Sequence, residues 1–151
     1  MYREVGGMSK LRELTAADIM VDHVVTGNIN DSLAGIAADM ERHKIGSVVI
    51  VENRRVVGIL TERDFVRIVK EGISGGRDRA RHHMTRPAVT VRSDASVAAI
   101  IRLMRKKHIR HLPVLDKNRR LVGMIGSRDL IKVGTDDLDL AEFISHRSGF
   151  L

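Results

Sequence analysis

The chain has 151 residues, of which 43% are apolar and 30% charged, with a formal net charge of +7. That is the composition of a globular protein able to bury one sizeable core, whole or as two small halves packed together. No apolar run nears the roughly 18 residues of a membrane span, the first residues lack a stretch of signal-peptide length, and the absence of cysteine excludes disulfides and thiolate metal sites. The cytoplasm is the expected compartment.

In chain order, residues 1–13 form an N-terminal segment and residues 14–71 a first module. After Ile19-Met20 comes a short extended piece, Val24-Val25-Thr26, and a cap-like cluster, Asn30-Asp31-Ser32. Leu33, Ile36, Ala37 and Met40 then recur at i, i+3, i+4 and i+7, the stripe of an amphipathic helix. Two β-rich runs, Ser47 to Val51 and Val56 to Leu60, flank the polar turn Glu52-Asn53-Arg54-Arg55. A closing helix starts near Asp64, and Gly72-Ile73-Ser74-Gly75-Gly76 opens a linker over 72–79.

Residues 80–135 repeat this module. Met20 aligns with Met84 at an offset of 64, and Val25-Thr26, Ser32, Ile36, Met40 and Ile45 meet Val89-Thr90, Ser96, Ile100, Met104 and Ile109. After one inserted residue, Asn53-Arg54-Arg55 matches Asn118-Arg119-Arg120, Gly58 matches Gly123, and Arg63-Asp64 matches Arg128-Asp129. About 15 identities fall in about 50 positions, which chance does not give with one gap. In this copy Ala88 to Val91 is the extended piece and Ser93-Asp94 the cap-like cluster. The helical stripe is Val97, Ile100, Ile101 and Met104, and the β runs are Leu112 to Leu115 and Leu121 to Ile125. The expected architecture is therefore α+β, two β-α-β-β-α repeats packed about a pseudo-two-fold axis. Neither copy buries much alone, and the two clefts such packing leaves are where ligands settle. The tail, 136–151, runs from Asp136-Asp137 into apolar residues spaced for a helix. With Leu11, Leu14 and Ile19 near the start, it supplies apolar surface for packing on the module or on a second subunit, so a homodimer is expected.

Ile19-Met20, Arg110-His111-Leu112-Pro113-Val114, and Gly58-Ile59-Leu60-Thr61-Glu62-Arg63-Asp64 with its partner Gly123 to Asp129 are the motifs that carry a family resemblance. In order and in duplicate, over about residues 14–135, they resemble the paired cystathionine-β-synthase (CBS) domains, or Bateman module. The resemblance implies a stand-alone regulatory module, without catalysis, that binds AMP, ADP, ATP or S-adenosyl compounds between its repeats. AMP is the expected ligand, no cofactor is required, and an effector protein is the expected object of control. It further implies that Thr61 and Asp64 meet the ribose, that Pro87, Ala88 and Val89 border adenine with Ile109 and Pro113 as apolar walls, and that Arg110 and His111 approach phosphate with help from Arg63. The chemistry is coherent, because a carboxylate accepts two adjacent hydroxyls and an Arg fork matches phosphate oxygens. A second, weaker site follows from Ser127, Arg128 and Asp129 with Val24, Val25, Ile45 and Ser47. There Gly126 replaces the hydroxyl residue, Gly46-Ser47 replaces Arg110-His111, and Val48-Val49 replaces Leu112-Pro113.

Plainer explanations compete for the same residues. Thr61-x-x-Asp64 at a strand-to-helix junction has the pattern of a capping box, and an acidic residue in a first turn suits the helix dipole. Recurrence of Asp129 where Gly126 has no side chain to cap favours the ligand role. His108 and His111, three apart with His82-His83 elsewhere, could suggest a metal, but no helix places His108 and His111 on one face and no carboxylate is expected at ligand spacing. Met20, Met40, Met84 and Met104 read as core, with Met84 at the edge of an adenine pocket. Charge is uneven: residues 1–75 carry a net −1 and residues 76–151 a net +8, concentrated in Arg77 to Arg81 and Arg102 to Arg110. A nucleic-acid-associated regulator is the alternative function this basic half suggests. Four aromatics are too few for a base-stacking platform, and Arg102, Arg105 and Lys106 lie opposite the apolar stripe, as on a solvated face.

Overall fold

A computed structural model of the chain describes residues 13–134. The elements are α1 (Ala16–Ile19), β1 (Thr26–Asn28), α2 (Leu33–His43), β2 (Ser47–Glu52), β3 (Arg55–Thr61), α3 (Glu62–Lys70), α4 (Ala80–His83), β4 (Val91–Arg92), α5 (Val97–Lys107), β5 (His111–Leu115), β6 (Leu121–Gly126) and α6 (Ser127–Gly134). Each repeat forms its own three-stranded sheet, in the orders β1-β2-β3 and β4-β5-β6. In the first sheet β1 runs parallel to β2 and β2 antiparallel to β3. Asn53 and Arg54, both at positive φ, close the β2–β3 hairpin in the left-handed conformation that matches strand twist. In the second sheet β4 runs parallel to β5.

Two compact units result. One holds His23–Val89 with Arg119–Leu121; the other takes in the described residues up to Asp22, Thr90–Asn118 and those from Val122 on. The core of the first is Leu33, Ile36 and Met40 from α2, Val48, Ile50 and Leu60 from the sheet, Ile68 from α3 and Ala80 from α4. In the second, Val97, Ile100 and Met104 of α5 are buried, as are Leu112, Val114, Ile125 and Leu130. Each fully buried aliphatic side chain contributes about 1.5–3 kcal/mol of transfer free energy. All four residues of the first expected stripe face inward at least partly, and Met40 and Met104 are core as expected.

Local capping follows the repeat with one correction. Ser32 caps α2 by accepting from Gly35 N–H at 3.0 Å. The equivalent cap of α5 is Ser96, which accepts from Ala99 N–H at 3.2 Å, and not the Ser93-Asp94 cluster. Asp94 lies too far ahead of the helix and instead takes both guanidinium contacts of Arg92, at 3.0 and 2.8 Å. Both first strands also sit later in the chain than the expected extended pieces. Val25 packs on the core ahead of β1, and Ala88 to Thr90 precede a β4 of two residues. The glycine-rich linker is a built part of the first unit: Gly75 C=O accepts from Ala34 N–H at 2.8 Å and Asp78 C=O from Leu33 N–H at 3.1 Å. Those carbonyls satisfy two donors that the start of a helix leaves without intrahelical partners.

The opening segment of each repeat serves the other repeat's sheet. Val21 and Met124 exchange two backbone hydrogen bonds of 2.9 Å, so α1 and Met20 belong with the second repeat's hairpin. Ile59 and Thr85 exchange the equivalent pair at 3.0 and 2.9 Å, which places α4 and Met84 with the first. Both methionines lie over a glycine. A Cβ at Gly58 would meet Met84 Sδ at 2.5 Å, and one at Gly123 would meet Met20 Cγ at 2.8 Å. Leu14 and Ile19 are half-buried, and Leu14 C=O accepts from Val97 N–H at 2.8 Å. Leu11 and the tail 136–151 lie outside the described residues.

Candidate functional site

The strand-to-helix junctions β3–α3 and β6–α6 carry the two aspartates. At the first, Thr61 is the N-cap and Asp64 the third helical residue. Asp64 Oδ2 accepts from Thr61 N–H at 2.9 Å and from Thr61 Oγ1–H at 3.1 Å. Its other oxygen, Oδ1, accepts from Thr85 Oγ1–H at 3.0 Å, with Arg67 Nη2 at 3.6 Å. Arg67 Nη2 also donates to His83 C=O at 2.9 Å, so the first turns of α3 grip both α4 and Thr85. Asp64 is 8% exposed and well supplied with donors, as a buried carboxylate requires.

At the second junction Asp129 Oδ2 accepts from Gly126 N–H at 2.7 Å, and Lys132 Nζ lies 3.9 Å from Oδ1. This corrects one sequence argument. Recurrence of Asp129 does not exclude capping, because the acidic half of a capping box needs only the backbone N–H of the N-cap residue, which glycine has. A third box, outside either motif, joins Thr15 to Asp18: Asp18 Oδ2 accepts from Thr15 N–H at 2.7 Å and from Thr15 Oγ1–H at 2.9 Å. Those bonds, the backbone one first, hold the Asp18 carboxyl below its ordinary range. Arg92 does the same to Asp94.

The structure distributes each expected residue set over both units. Thr61, Arg63, Asp64, Pro87, Ala88 and Val89 belong to the first unit, while Ile109, Arg110, His111 and Pro113 belong to the second. Of the weaker set, Val24, Val25, Ile45 and Ser47 belong to the first unit and Ser127, Arg128 and Asp129 to the second. Within the first unit Ser47 pairs with Thr61 across the sheet, and Gly46 C=O accepts from Glu62 N–H at 3.1 Å. Within the second, Arg110 C=O accepts from Ser127 N–H at 2.9 Å, and a Cβ on Gly126 would stand 3.8 Å from His111 Cδ2. The basic Arg110-His111 pair therefore borders the Gly126–Asp129 turn. Val25 and Ile45 pack against the first core, and Pro113 is buried in β5. Arg63 and Arg128 are exposed at the first turns of their helices.

Thr85 and Arg67 are the residues that sequence reasoning missed. The repeat offset places Thr85 opposite Val21, a signal that was legible but carried no weight without the Ile59–Thr85 pairing. His108 ends α5 in the left-handed conformation and His111 opens β5, so the two share no helix face. Among the described residues no group of His, Asp and Glu could hold a metal ion, and no helix is long and apolar enough to cross a membrane.

Comparison with known proteins gives the lineage. The family model for the CBS domain matches twice, over residues 16–71 and 80–136. The chain is 37% identical over 125 residues to an uncharacterized protein of Methanopyrus kandleri, covering 82% of this chain and 64% of that protein, just under two thirds of its length. It is 30% identical over 147 residues to an uncharacterized protein of Bacillus subtilis, covering 94% of this chain and 88% of the relative. Among solved structures, a CBS domain pair in complex with 5'-methylthioadenosine and S-adenosyl-L-methionine superposes with a TM-score of 0.73. It is 27% identical, and the match covers 80% of this chain and 94% of the other. With two family matches, in the order and at the positions that the internal repeat requires, the chain belongs to the CBS-domain family as a tandem CBS pair.

Proposed function

We propose that this CBS pair is a regulatory sensor of adenosine-containing ligands, with AMP as the expected ligand. The observation that carries the reading is the Thr61–Asp64 junction. A carboxylate with little solvent exposure is fixed there by two bonds from Thr61, in the motif that the family resemblance assigns to ribose hydroxyls. The bound adenosine compounds of the 27% identical neighbour support the ligand class. In this proposal Thr61 and Asp64 take the ribose and Pro87, Ala88 and Val89 border adenine. Ile109 and Pro113 supply apolar contact, Arg110 and His111 meet phosphate, and Arg63 assists. The Ser127, Arg128 and Asp129 turn, with Val24, Val25, Ile45 and Ser47, is the weaker second site.

A second copy of the chain is the proposed protein partner, supported by Val66 and Val69, which stand 70% and 77% exposed on α3. Calorimetric titration with AMP, ADP, ATP and S-adenosylmethionine tests the ligand reading. Saturable binding of at least one, with GMP silent at the same concentrations, is the expected result. Silence of all four ends the proposal.

A further inference from the structure

A carboxylate offers about four acceptor positions. At Asp64, Thr61 takes both on Oδ2, and the Thr85 hydroxyl takes one on Oδ1, with the Arg67 guanidinium beside it. A ribose presents two adjacent hydroxyl donors, and Oδ1 cannot seat both while Thr85 keeps its bond. The second repeat holds a related junction, with Gly126 in place of Thr61 and Lys132 in place of Arg67, and it differs again at the residue that reaches Oδ1. Val21 occupies the place of Thr85, making the same two-way backbone pairing with Met124 that Thr85 makes with Ile59, and it has no hydroxyl to give.

We propose that Thr85 is an internal competitor for the ligand's vicinal diol at Asp64, and so a determinant of affinity at that repeat alone. The inference rests on the adenosine reading above and adds a residue and a coupling to it. A diol binding at Asp64 takes the Oδ1 position from Thr85, whose exposed side chain turns to water. The segment Ala80–Thr85 then loses one of its ties to the first repeat. Its other ties are the backbone pair with Ile59, the Arg67 bond to His83 C=O, and the bonds from Ala80 and Arg81 N–H to Asp31 and Ile29 C=O. Ligand occupancy at Asp64 is thereby coupled to the segment Ala80–Thr85 that follows the linker. At Asp129 the coupling is absent, because a valine side chain has no hydrogen bond to lose.

The test is an isosteric series, Thr85→Val, Thr85→Ser and Val21→Thr, titrated calorimetrically with AMP and with S-adenosylmethionine. Val replaces Thr at an exposed position without change of shape, so folding is preserved, and Ser retains the hydroxyl as a control. Thr85→Val should bind about three- to tenfold more tightly than wild type, the equivalent of one neutral hydrogen bond no longer displaced. Thr85→Ser should match wild type, and Val21→Thr should leave the Asp64 site unchanged. Weaker or unchanged binding by Thr85→Val would make Thr85 a positioning group or a bystander and overturn the proposal, as would a Ser variant that behaves like Val. If neither compound binds wild type or any variant, the adenosine reading itself falls and this inference with it.

Discussion

Asp64 is both a helix cap and the proposed ribose acceptor, and one substitution separates the two roles. Asp64→Ala removes the acceptor for Thr61 N–H at 2.9 Å, for Thr61 Oγ1–H at 3.1 Å and for Thr85 Oγ1–H at 3.0 Å. Loss of the capping interaction costs about 1 kcal/mol, and loss of the Thr85 bond about another 1 kcal/mol. Arg67, 3.6 Å away with its side chain 43% exposed, adds little. The stability cost is therefore about 2 kcal/mol, or about 4–8 °C in melting temperature for a chain of this length. Asp129→Ala gives up the Gly126 N–H bond and a 3.9 Å contact to an exposed lysine, so about half that cost is expected. Binding gives the second number. Removing a charged acceptor from two ribose hydroxyls should weaken AMP by about 2–4 kcal/mol, roughly 30- to 1000-fold. Urea denaturation and calorimetry on the same two variants read both quantities. An Asp64→Ala protein as stable as wild type would refute the capping geometry. One that is destabilised by the stated amount yet binds AMP as wild type does would leave Asp64 a cap and nothing more.

Two further outcomes follow from the described geometry. Gly58→Ala should destabilise by about 1–3 kcal/mol, because its Cβ would stand 2.5 Å from Met84 Sδ and 3.1 Å from Thr85 C=O. Adding Met84→Ala should recover part of the clash, so a double-mutant cycle with no coupling would count against the Met-over-Gly packing. The pH dependence concerns Asp18, whose carboxyl is held below its ordinary value of 3.8 by the Thr15 backbone N–H and then by its hydroxyl. A depressed folded value means that the stabilisation is fully present above the unfolded value and disappears as pH falls through the folded one. Asp18→Asn should therefore lower stability at neutral pH and converge with wild type only in acid below the lowered folded value, which itself lies under 3.8. Carboxyl-carbon NMR should place the Asp18 midpoint under 3.8, and a midpoint at or above that value would contradict the Thr15–Asp18 box.

What the sequence determined by itself is whatever a local period or a duplicated register encodes. The repeat at an offset of 64 was enough for the α+β module, both hairpins, the α2 and α5 stripes and the family. Helix and strand periods are written in neighbouring residues, and the duplication writes each of them twice at equivalent positions. Tertiary structure decided which segment joins which sheet. Nothing in Ile19-Met20 or His83-Met84 says that each lies over the other repeat's glycine; that follows from the Val21–Met124 and Ile59–Thr85 backbone pairings, which join residues far apart in sequence. It also decided what Asp64 holds. The Thr61 box spans three residues and is visible in one dimension, whereas the Thr85 bond crosses 21 residues and depends on the chain's path through the linker. Where Gly126 stands without a side chain, the sequence suggested an uncapped aspartate. The backbone N–H, common to every residue but proline, supplied the partner that no side-chain pattern could reveal.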